Sequence, residues 1–293
     1  MNISIIIITY KRHNDVLEAV HSVLNQAGHF ETIVIDNDPQ STLYSLLPKQ
    51  NDLKYYRMQE NRGVAGGRNA GIKQANGDVF LFLDDDAVVA TENALLKIKK
   101  YLKEHGKIGC LAFRIENYFS RQINAKEFPH PDSRLIDKTM KVSYFLGGAN
   151  AIRKSVFDKT GPFMDLMYWG EELELSFRMI KNGFEILYTP DIVVYHKASL
   201  KGRFTQKKQL YYCFRNRFYV LAPHLPLRYL LINLTLWSGY WFVQAVKMFA
   251  FKEYFSALKD GIQKGVELFK NHRNPISERA LHYLKKHGGR LWC

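Results

Sequence analysis

The sequence predicts an α/β protein in which a mostly parallel central sheet is flanked by helices and followed by a helical C-terminal extension. Three observations lead to this fold class. Short β-branched runs, beginning with ISIIIIT at residues 3–9, alternate with segments of helical periodicity. These runs are apolar throughout, as in strands buried on both faces of a sheet. Near residue 205 the strand-like runs stop and a basic, aromatic segment begins.

The first 90 residues contain four predicted strands with helices between them. Apolar residues from Val16 to Leu24 recur at helical spacing, with Asn14 as the predicted N-cap. The predicted strands are residues 3–9, 32–35, 53–58 and 79–83, and a second helix is predicted over 66–76. This alternation predicts βαβ units, and ligands of such sheets gather at the carboxyl ends of the strands.

The α/β pattern continues less regularly up to residue 205. Residues 114–140 are polar and irregular, which predicts a long loop region. Gly183 marks the predicted end of a helix with one apolar face. The predicted elements are helices over 91–105 and 170–182 and strands over 184–188 and 192–195.

The chain is basic and contains few cysteines. Its 293 residues are 46% hydrophobic, enough for a large core, and its net charge is +14. That charge favours a polyanionic partner, such as nucleic acid, an anionic membrane surface or a phosphorylated ligand. The cysteines Cys110, Cys213 and Cys293 predict neither a disulfide framework nor a zinc site, which fits a reducing compartment. The N-terminal apolar run is too short for a signal peptide.

The predicted extension, residues 206–293, combines basic and aromatic residues. Within it, residues 229–246 hold no charge and lie at the lower length limit for a membrane span. Asn233 and Gln244 weaken that interpretation, and an interfacial helix on a membrane fits as well. A buried dimer interface or a packed helical subdomain is the other alternative.

Three consecutive aspartates, Asp84 to Asp86, end the predicted strand FLFL. Thr9 ends one predicted strand and Asp36 follows another, so all these residues should meet at one edge of the sheet. Carboxylates at such an edge suit Mg²⁺ or Mn²⁺, which leave other coordination positions to phosphate and water. A solvated turn is the alternative interpretation.

The segment NRGVAGGRNAGI, residues 61–72, is rich in glycine and arginine. Gly63 and Gly66 would let the backbone approach a ligand, and helix N-termini bind phosphate. Arg62 and Arg68 add positive charge. A diphosphate site and a glycine-rich turn that caps a helix are both consistent with this pattern.

A third group of candidates lies in WGEELELSFR, residues 169–178, and at His196. Glu171 and Glu172 fall in the first turn of a predicted helix, where the dipole favours an ionised carboxylate that can act as a base. Glu174 and Arg178 have the spacing of a structural ion pair. His196 ends the strand IVVYH and is by itself more typical of a structural residue than of a metal ligand.

These motifs, in this order, resemble the inverting family 2 glycosyltransferases of GT-A fold, whose sheet is Rossmann-like. The resemblance covers roughly residues 3–200 and rests on TYKR, VIDN, NRGVAGGRNAGI, FLFLDDDA, FLGGANAIRK, YWGEELELSFR and YTPDIVVYHKAS. It implies a catalytic domain at 1–205, with a nucleotide-binding half at 1–90 and an acceptor-binding half at 91–205. The C-terminal YYCFRN segment also resembles members that work at membranes.

The resemblance assigns roles to individual residues. It implies that Asp86 and His196 bind a divalent metal, Mn²⁺ or Mg²⁺, and that Glu172 is the catalytic base, with Glu171 contacting the acceptor. Glu172 stands where the family usually has aspartate, which lengthens the side chain by one methylene. The implied nucleotide-sugar contacts are Thr9, Tyr10, Arg12, Asp36, Asn61, Gly63, Gly66, Arg68, Asp84 and Asp85.

The expected function is therefore metal-dependent transfer of a sugar from a nucleoside-diphosphate sugar, with UDP or dTDP as the nucleotide. The expected acceptor is a lipid-linked or cell-surface glycan, and the expected location is cytoplasmic, peripheral on the inner face of the cell membrane. We expect no nucleic-acid partner. The alternatives are a sugar nucleotidyltransferase, which would release pyrophosphate, and a non-enzymatic polyanion-binding protein.

Overall fold

A single sheet organises the chain as far as residue 196. Nine strands form it among the residues that the computed structural model describes, 1–289 and Leu291. The strands are β1 (Ile3–Thr9), β2 (Phe30–Asp36), β3 (Leu53–Arg57), β4 (Val79–Asp84), β5 (Ala87–Val89), β6 (Ile108–Asn117), β7 (Met140–Val142), β8 (Ala149–Arg153) and β9 (Glu185–His196). The α-helices are α1 (His13–Leu24), α2 (Gly63–Gln74), α3 (Ala94–Glu104), α4 (Lys154–Thr160), α5 (Glu171–Lys181), α6 (Gln206–His224), α7 (Leu227–Met248), α8 (Phe251–Asn271) and α9 (Glu278–Lys286).

The predicted fold class is confirmed. The strand order is β3-β2-β1-β4-β8-β6-β9-β5, with β7 paired to β9. The strands β1 to β4, β6 and β9 run in one direction, whereas β5, β7 and β8 run against them. In this register Thr9 lies beside Asp36, and Ile8 beside Asp84. The carboxyl ends of β1, β2 and β4 therefore form one edge of the sheet.

Helix α2 lies unusually close to β1 because glycines face the strand. A Cβ atom at Gly67 would lie 2.6 Å from a methyl of Ile8, and one at Gly71 would lie 2.4 Å from a methyl of Ile6. Any larger residue would push the helix off the sheet, since protein interiors leave no spare volume. The glycine-rich segment is thus built for close helix–sheet packing.

Several element boundaries differ from those predicted. Helix α1 begins at His13, and Arg12 rather than Asn14 occupies the N-cap position. Helix α2 begins at Gly63, not at residue 66, because Asn61 accepts a hydrogen bond from the Gly63 amide at 2.9 Å. The two strands predicted after residue 184 are one strand, β9, whose register against β6 shifts between Thr189 and Val193.

The extension folds as helices that pack on each other and on the α/β domain. Leu210, Phe214 and Phe218 of α6 form a core with Tyr254 and Ala257 of α8. The apolar segment 229–246 lies within one helix, α7. Among the described residues, no helix combines the length and apolar character needed to cross a bilayer.

The cysteines that the structure describes are unpaired, as the sequence predicts. Cys110 is buried in the sheet, and Cys213 is half-buried on α6. Cys293 lies outside the described residues.

Candidate active site

A cavity of about 250 Å³ opens at the carboxyl edge of the sheet. Its walls come from β4, α2, α5, the end of β9 and the segments that precede β8 and α5. Polar groups converge on an otherwise apolar lining, as in small-molecule sites. The polar side chains that line it are Arg68, Asp84, Glu127, Tyr168, Trp169, Glu171, Glu172 and His196.

Asp84, Asp86 and His196 form a potential metal site at one end of the cavity. One ligand atom from each lies within 4.8 Å of the other two. Two carboxylates and an imidazole are a suitable donor set for Mn²⁺, and two carboxylates also suit Mg²⁺. Asp84, predicted as a nucleotide-sugar contact together with Asp85, lies with Asp86 and His196.

Charged partners keep Asp86 ionised although it is buried. Its Oδ1 lies 3.3 Å from Nε2 of His196, and its Oδ2 accepts a hydrogen bond from the Ser199 amide at 2.8 Å. Burial alone would raise the pKa of Asp86, but His196 and Arg12 lower it to about 2. The carboxylate is therefore available as a ligand without losing a proton.

Glu127 supports His196 from a segment that the sequence left unassigned. It ends a short 3₁₀ turn in the irregular region after β6 and contacts Nδ1 of His196. A carboxylate on this nitrogen orients the imidazole so that Nε2 points towards Asp86. Nothing in the local sequence distinguishes Glu127 from other surface glutamates, so only the tertiary structure identifies it.

Arg12 and Asp85 form an ion pair behind the metal site. Nη1 of Arg12 lies 2.7 Å from Asp85 and 3.2 Å from Asp86. The same guanidinium donates to the carbonyl oxygens of Ser199 and Lys201, which fixes the segment after β9 over the aspartates. Burial raises the pKa of Asp85 to about 7, against the opposing charge of Arg12. Both residues were predicted as nucleotide contacts; here they hold the strand ends together.

Arg68 joins the metal site to the predicted catalytic glutamates. Its side chain is only 3% exposed, and its Nη1 lies 3.0 Å from Glu171 and 3.2 Å from Glu172. Its Nη2 lies 3.5 Å from Asp84. Arg68 was predicted to contribute charge to a diphosphate site, and its neighbours in the structure are the carboxyl groups of Asp84, Glu171 and Glu172. Arg62, predicted alongside it, pairs instead with Asp165 at the surface.

The two glutamates occupy different environments. Glu172 is 22% exposed and faces the cavity, whereas Glu171 is 2% exposed. Oε2 of Glu171 is buried and has no hydrogen-bond partner among the described residues. Burial, together with the neighbouring Glu172, raises the pKa of Glu171 to about 8. Glu172 is therefore the more accessible of the two side chains to a substrate in the cavity.

Two glycines before β8 make room for this arrangement. A Cβ atom at Gly147 would lie 2.1 Å from Oε1 of Glu172 and 2.2 Å from Nη2 of Arg68. One at Gly148 would lie 2.2 Å from Oδ2 of Asp84. The sequence showed the glycine pair in FLGGAN, but its purpose depends on side chains that are distant in the chain.

Helix α6 fixes the backbone that leads into α5. Nδ2 of Asn216 donates to the carbonyl oxygens of Tyr168 at 2.6 Å and Trp169 at 2.9 Å. Trp169 has a φ of +62°, a left-handed conformation that costs energy in a bulky residue. These hydrogen bonds hold the turn from which Glu171 and Glu172 project.

The residues predicted to contact the nucleotide-sugar lie at the same edge of the sheet, and most of them contact other protein atoms. Asp36 is buried and accepts hydrogen bonds from the Tyr55 hydroxyl at 3.1 Å and the Asp38 amide at 2.9 Å. The Thr9 carbonyl accepts the Asn37 amide, and the Tyr10 amide points to Asp85 at 3.4 Å. At Gly63, with φ of +68°, a Cβ would lie 2.3 Å from the Met167 carbonyl.

Two further residues follow the same pattern. The side chain of Asn61 caps the start of α2, and the space beside Gly66 is filled by Arg62.

The predicted ion pair of Glu174 and Arg178 is confirmed, with 2.8 Å from Nε of Arg178 to Oε1 of Glu174. His224 of α6 also contacts Glu174, at 2.9 Å, so this pair fastens the extension to α5.

Comparison with solved structures identifies the class of protein. The chain superimposes on a crystal structure of GalNAc-T7 with UDP, GalNAc and Mn²⁺ with a TM-score of 0.61. The match covers 73% of this chain and 47% of GalNAc-T7 at 20% sequence identity. Together with the sheet topology, this likeness places the chain among proteins of GT-A fold.

The family follows from sequence comparison. The family model described as Glycosyl transferase family 2 matches residues 4–161, and the chain belongs to this family of glycosyltransferases. An uncharacterized protein of Haemophilus influenzae is 34% identical over 54% of this chain and 91% of its own length. The poly-β-1,6-N-acetyl-D-glucosamine synthase of Staphylococcus aureus is 28% identical over 64% of this chain, which spans 48% of the synthase.

The raised pKa of Glu171 predicts a specific pH dependence of stability. Below its ordinary value of 4.5, both folded and unfolded states hold the proton. As the pH rises to about 8, the folded state retains a proton that the unfolded state has lost, so stability falls. The unfolding free energy of Glu171→Gln minus that of the wild type should therefore increase from pH 5 to pH 8. The expected slope of this difference is up to about 1.4 kcal/mol per pH unit.

Urea denaturation across this pH range measures the difference. Glu104→Gln, at an exposed position that ends α3, is the matched control and should leave the pH slope nearly unchanged. If the unfolding free energies of the wild type and Glu171→Gln change in parallel with pH, Glu171 is ionised in the folded protein.

Proposed function

We propose that the protein is an inverting glycosyltransferase that uses a nucleoside-diphosphate sugar and a divalent cation, with Glu172 as the catalytic base. The observation that carries this proposal is the position of Arg68. It lies 3.5 Å from Asp84 of the potential metal site and 3.2 Å from Glu172, so both groups border one cavity. A donor held at one end would thus have a base within reach of its reacting carbon.

The nucleotide of the donor would lie across the carboxyl ends of β1, β2 and β4. Asp36 and the backbone near Thr9 and Tyr10 are buried or half-buried at this edge and would contact the base and ribose. UDP or dTDP is the proposed nucleotide. The start of α2 at Asn61 to Gly66 would approach the diphosphate, with the N-terminus of the helix offering favourable electrostatics.

Asp84, Asp86 and His196 would hold Mn²⁺ or Mg²⁺. When bound, such a cation offsets the negative charge that develops on the departing nucleoside diphosphate. The side chains contribute by their preset arrangement: Glu127 orients His196, and Arg12 together with the Ser199 amide fixes Asp86. Little reorganisation would then be needed when the donor binds.

Glu172 would take the proton from the acceptor hydroxyl. The acceptor oxygen forms a bond to the anomeric carbon from the face opposite the diphosphate, and the bond from that carbon to the diphosphate oxygen breaks. The leaving nucleoside diphosphate takes the electron pair, and the configuration inverts. Glu171, buried and with a raised pKa, would position the acceptor side of the site rather than remove the proton.

The proposed acceptor is a lipid-linked or cell-surface glycan. Support comes from the Staphylococcus aureus relative, whose name is that of a polysaccharide synthase, and from the basic, aromatic extension that borders the site through α6. The proposed location is cytoplasmic, peripheral on the inner face of the cell membrane.

Replacing Glu172 tests the assignment of the base. Glu172→Gln keeps the size and polarity of the side chain but removes its basicity, so transfer should fall by about 10²- to 10⁴-fold. Binding of the nucleotide diphosphate should be preserved. Transfer is measured as release of nucleoside diphosphate, across a set of nucleotide-sugars, in the presence of Mn²⁺.

Glu171→Gln is the matched control for this experiment. It makes the same chemical change at the adjacent residue and should lower transfer by less than about tenfold, because Glu172 remains. The reverse order of effects would assign the base to Glu171 instead. Pyrophosphate release from a nucleoside triphosphate would support the nucleotidyltransferase alternative.

Removing a metal ligand should abolish stabilisation by the metal–nucleotide complex. For the wild type, Mn²⁺ with UDP at about 100 times Kd should stabilise the folded protein by about 2.7 kcal/mol, and EDTA should reverse this. Asp86→Asn and His196→Gln should each remove most of the increase in melting temperature. Asp78→Asn, at an exposed carboxylate, should behave as the wild type.

The experiment also tests the metal requirement itself. An unchanged melting temperature increase in Asp86→Asn, or an increase that EDTA does not affect, would show that this cluster does not hold the cation.

A further inference from the structure

The hairpin formed by α7 and α8 exposes an extensive apolar face. Large apolar side chains on both helices and on the turn between them are 42% to 81% exposed, with Phe249 of the turn the most exposed. A soluble monomer rarely leaves so many such side chains in one region uncovered. The exposed residues are Leu227, Leu231, Ile232, Leu236, Tyr240, Phe242, Val243, Val246, Phe249, Phe251, Phe255, Ile262 and Val266.

The charges of α8 are arranged around its exposed apolar stripe. At about 100° per residue, Phe255, Ile262 and Val266 fall within about 60° of Phe251 around the helix axis. Three exposed lysines border this stripe at about 80–100° from Phe251. The acidic residues of the helix lie about 160–180° from Phe251, away from the stripe. These lysines are Lys252, Lys259 and Lys270, and the acids are Glu253, Asp260 and Glu267; the fourth lysine, Lys264, lies on the acidic side and pairs with Glu267.

Helix α7 adds apolar surface without any negative charge. Its sequence, LRYLLINLTLWSGYWFVQAVKM, contains no Asp or Glu, and its charged residues are Arg228 and Lys247, both exposed. A second copy docked symmetrically on this face would bring cations towards cations, which is unfavourable. A surface with negative charge and an apolar interior matches both features, and these are the properties of an anionic lipid bilayer.

We propose that the α7–α8 face docks onto the surface of an anionic phospholipid bilayer, with Phe249, Phe251 and Phe255 entering the boundary between headgroups and acyl chains. Lys252 and Lys259 then meet the lipid phosphates. This inference rests on the proposed function, because it explains how an acceptor carried by a lipid reaches the cavity. It assigns membrane contact to one face of the extension.

The structure connects this face to the active site. The guanidinium carbon of Arg217 lies 3.6 Å from the ring centre of Trp237 on α7 and 5.2 Å from that of Trp169. Trp169 lines the cavity, and its carbonyl is held by Asn216, the neighbour of Arg217 on α6. Docking through α7 would therefore bring the part of the cavity wall formed by Trp169, two residues before Glu171 in the chain, close to the membrane.

Flotation of the full chain with lipid vesicles tests the docking surface. The probes are vesicles of phosphatidylcholine with phosphatidylglycerol, and vesicles of phosphatidylcholine alone, at low and high salt. We expect binding to the anionic vesicles that weakens with salt, and at least about tenfold weaker binding for the double variant Phe251→Glu/Phe255→Glu. Lys252→Glu/Lys259→Glu should lose the preference for anionic vesicles.

The matched control is Leu96→Glu/Phe119→Glu, which introduces the same charges at exposed apolar residues of α3 and of the loop after β6. It should bind anionic vesicles as the wild type does. Equal binding of the wild type and Phe251→Glu/Phe255→Glu would overturn the proposal, as would failure of the wild type to bind. The proposal would also be overturned if the wild type is a dimer and Phe251→Glu/Phe255→Glu converts it into a monomer.

Donor hydrolysis without vesicles separates this proposal from the proposed function. We expect Phe251→Glu/Phe255→Glu to hydrolyse the nucleotide-sugar as the wild type does, which shows that the lost flotation does not reflect a lost fold. A wild type that floats with vesicles but hydrolyses no nucleotide-sugar would contradict the proposed function and leave the docking surface supported.

Discussion

The buried guanidinium of Arg68 is the interaction on which the candidate site depends. It lies within 3.5 Å of carboxylates from β4 and from the first turn of α5. Without a cation between them, the partly buried carboxyl groups of Asp84 and Glu172 would repel one another. Arg68 therefore lets the fold bring Asp84, a proposed metal ligand, and Glu172, the proposed base, to one cavity. Gly147 is required for the same reason, because a side chain there would occupy the space of the ion pairs.

The helical extension completes the catalytic domain as well as adding a surface to it. Asn216 holds the turn before α5, and His224 binds Glu174 within that helix. A change in how α6 packs would thus alter the position of Glu172. The extension that carries the proposed docking face is thus in direct contact with the helix that carries Glu172.

Much of the fold could be predicted because its signals are local. The β-branched runs and the residues that follow them place Thr9, Asp36 and Asp84 at one edge of the sheet, as the register confirms. The long-range contacts were not predictable in this way. Arg68 has the same local appearance as a surface arginine, and its contacts with Glu171 and Glu172, more than 100 positions away, are not visible in the local sequence. Glu127 reaches His196 from an irregular segment, and no periodicity marks such a residue.

The most direct test of the central role of Arg68 is the unfolding free energy of Arg68→Met in urea at neutral pH. Removing the buried guanidinium leaves Asp84 and Glu172 without its compensating charge and should destabilise the protein by about 3–5 kcal/mol. Arg62→Met, which breaks a surface pair six positions earlier in the chain, should cost no more than about 1 kcal/mol. An Arg68→Met protein as stable as Arg62→Met would contradict the account.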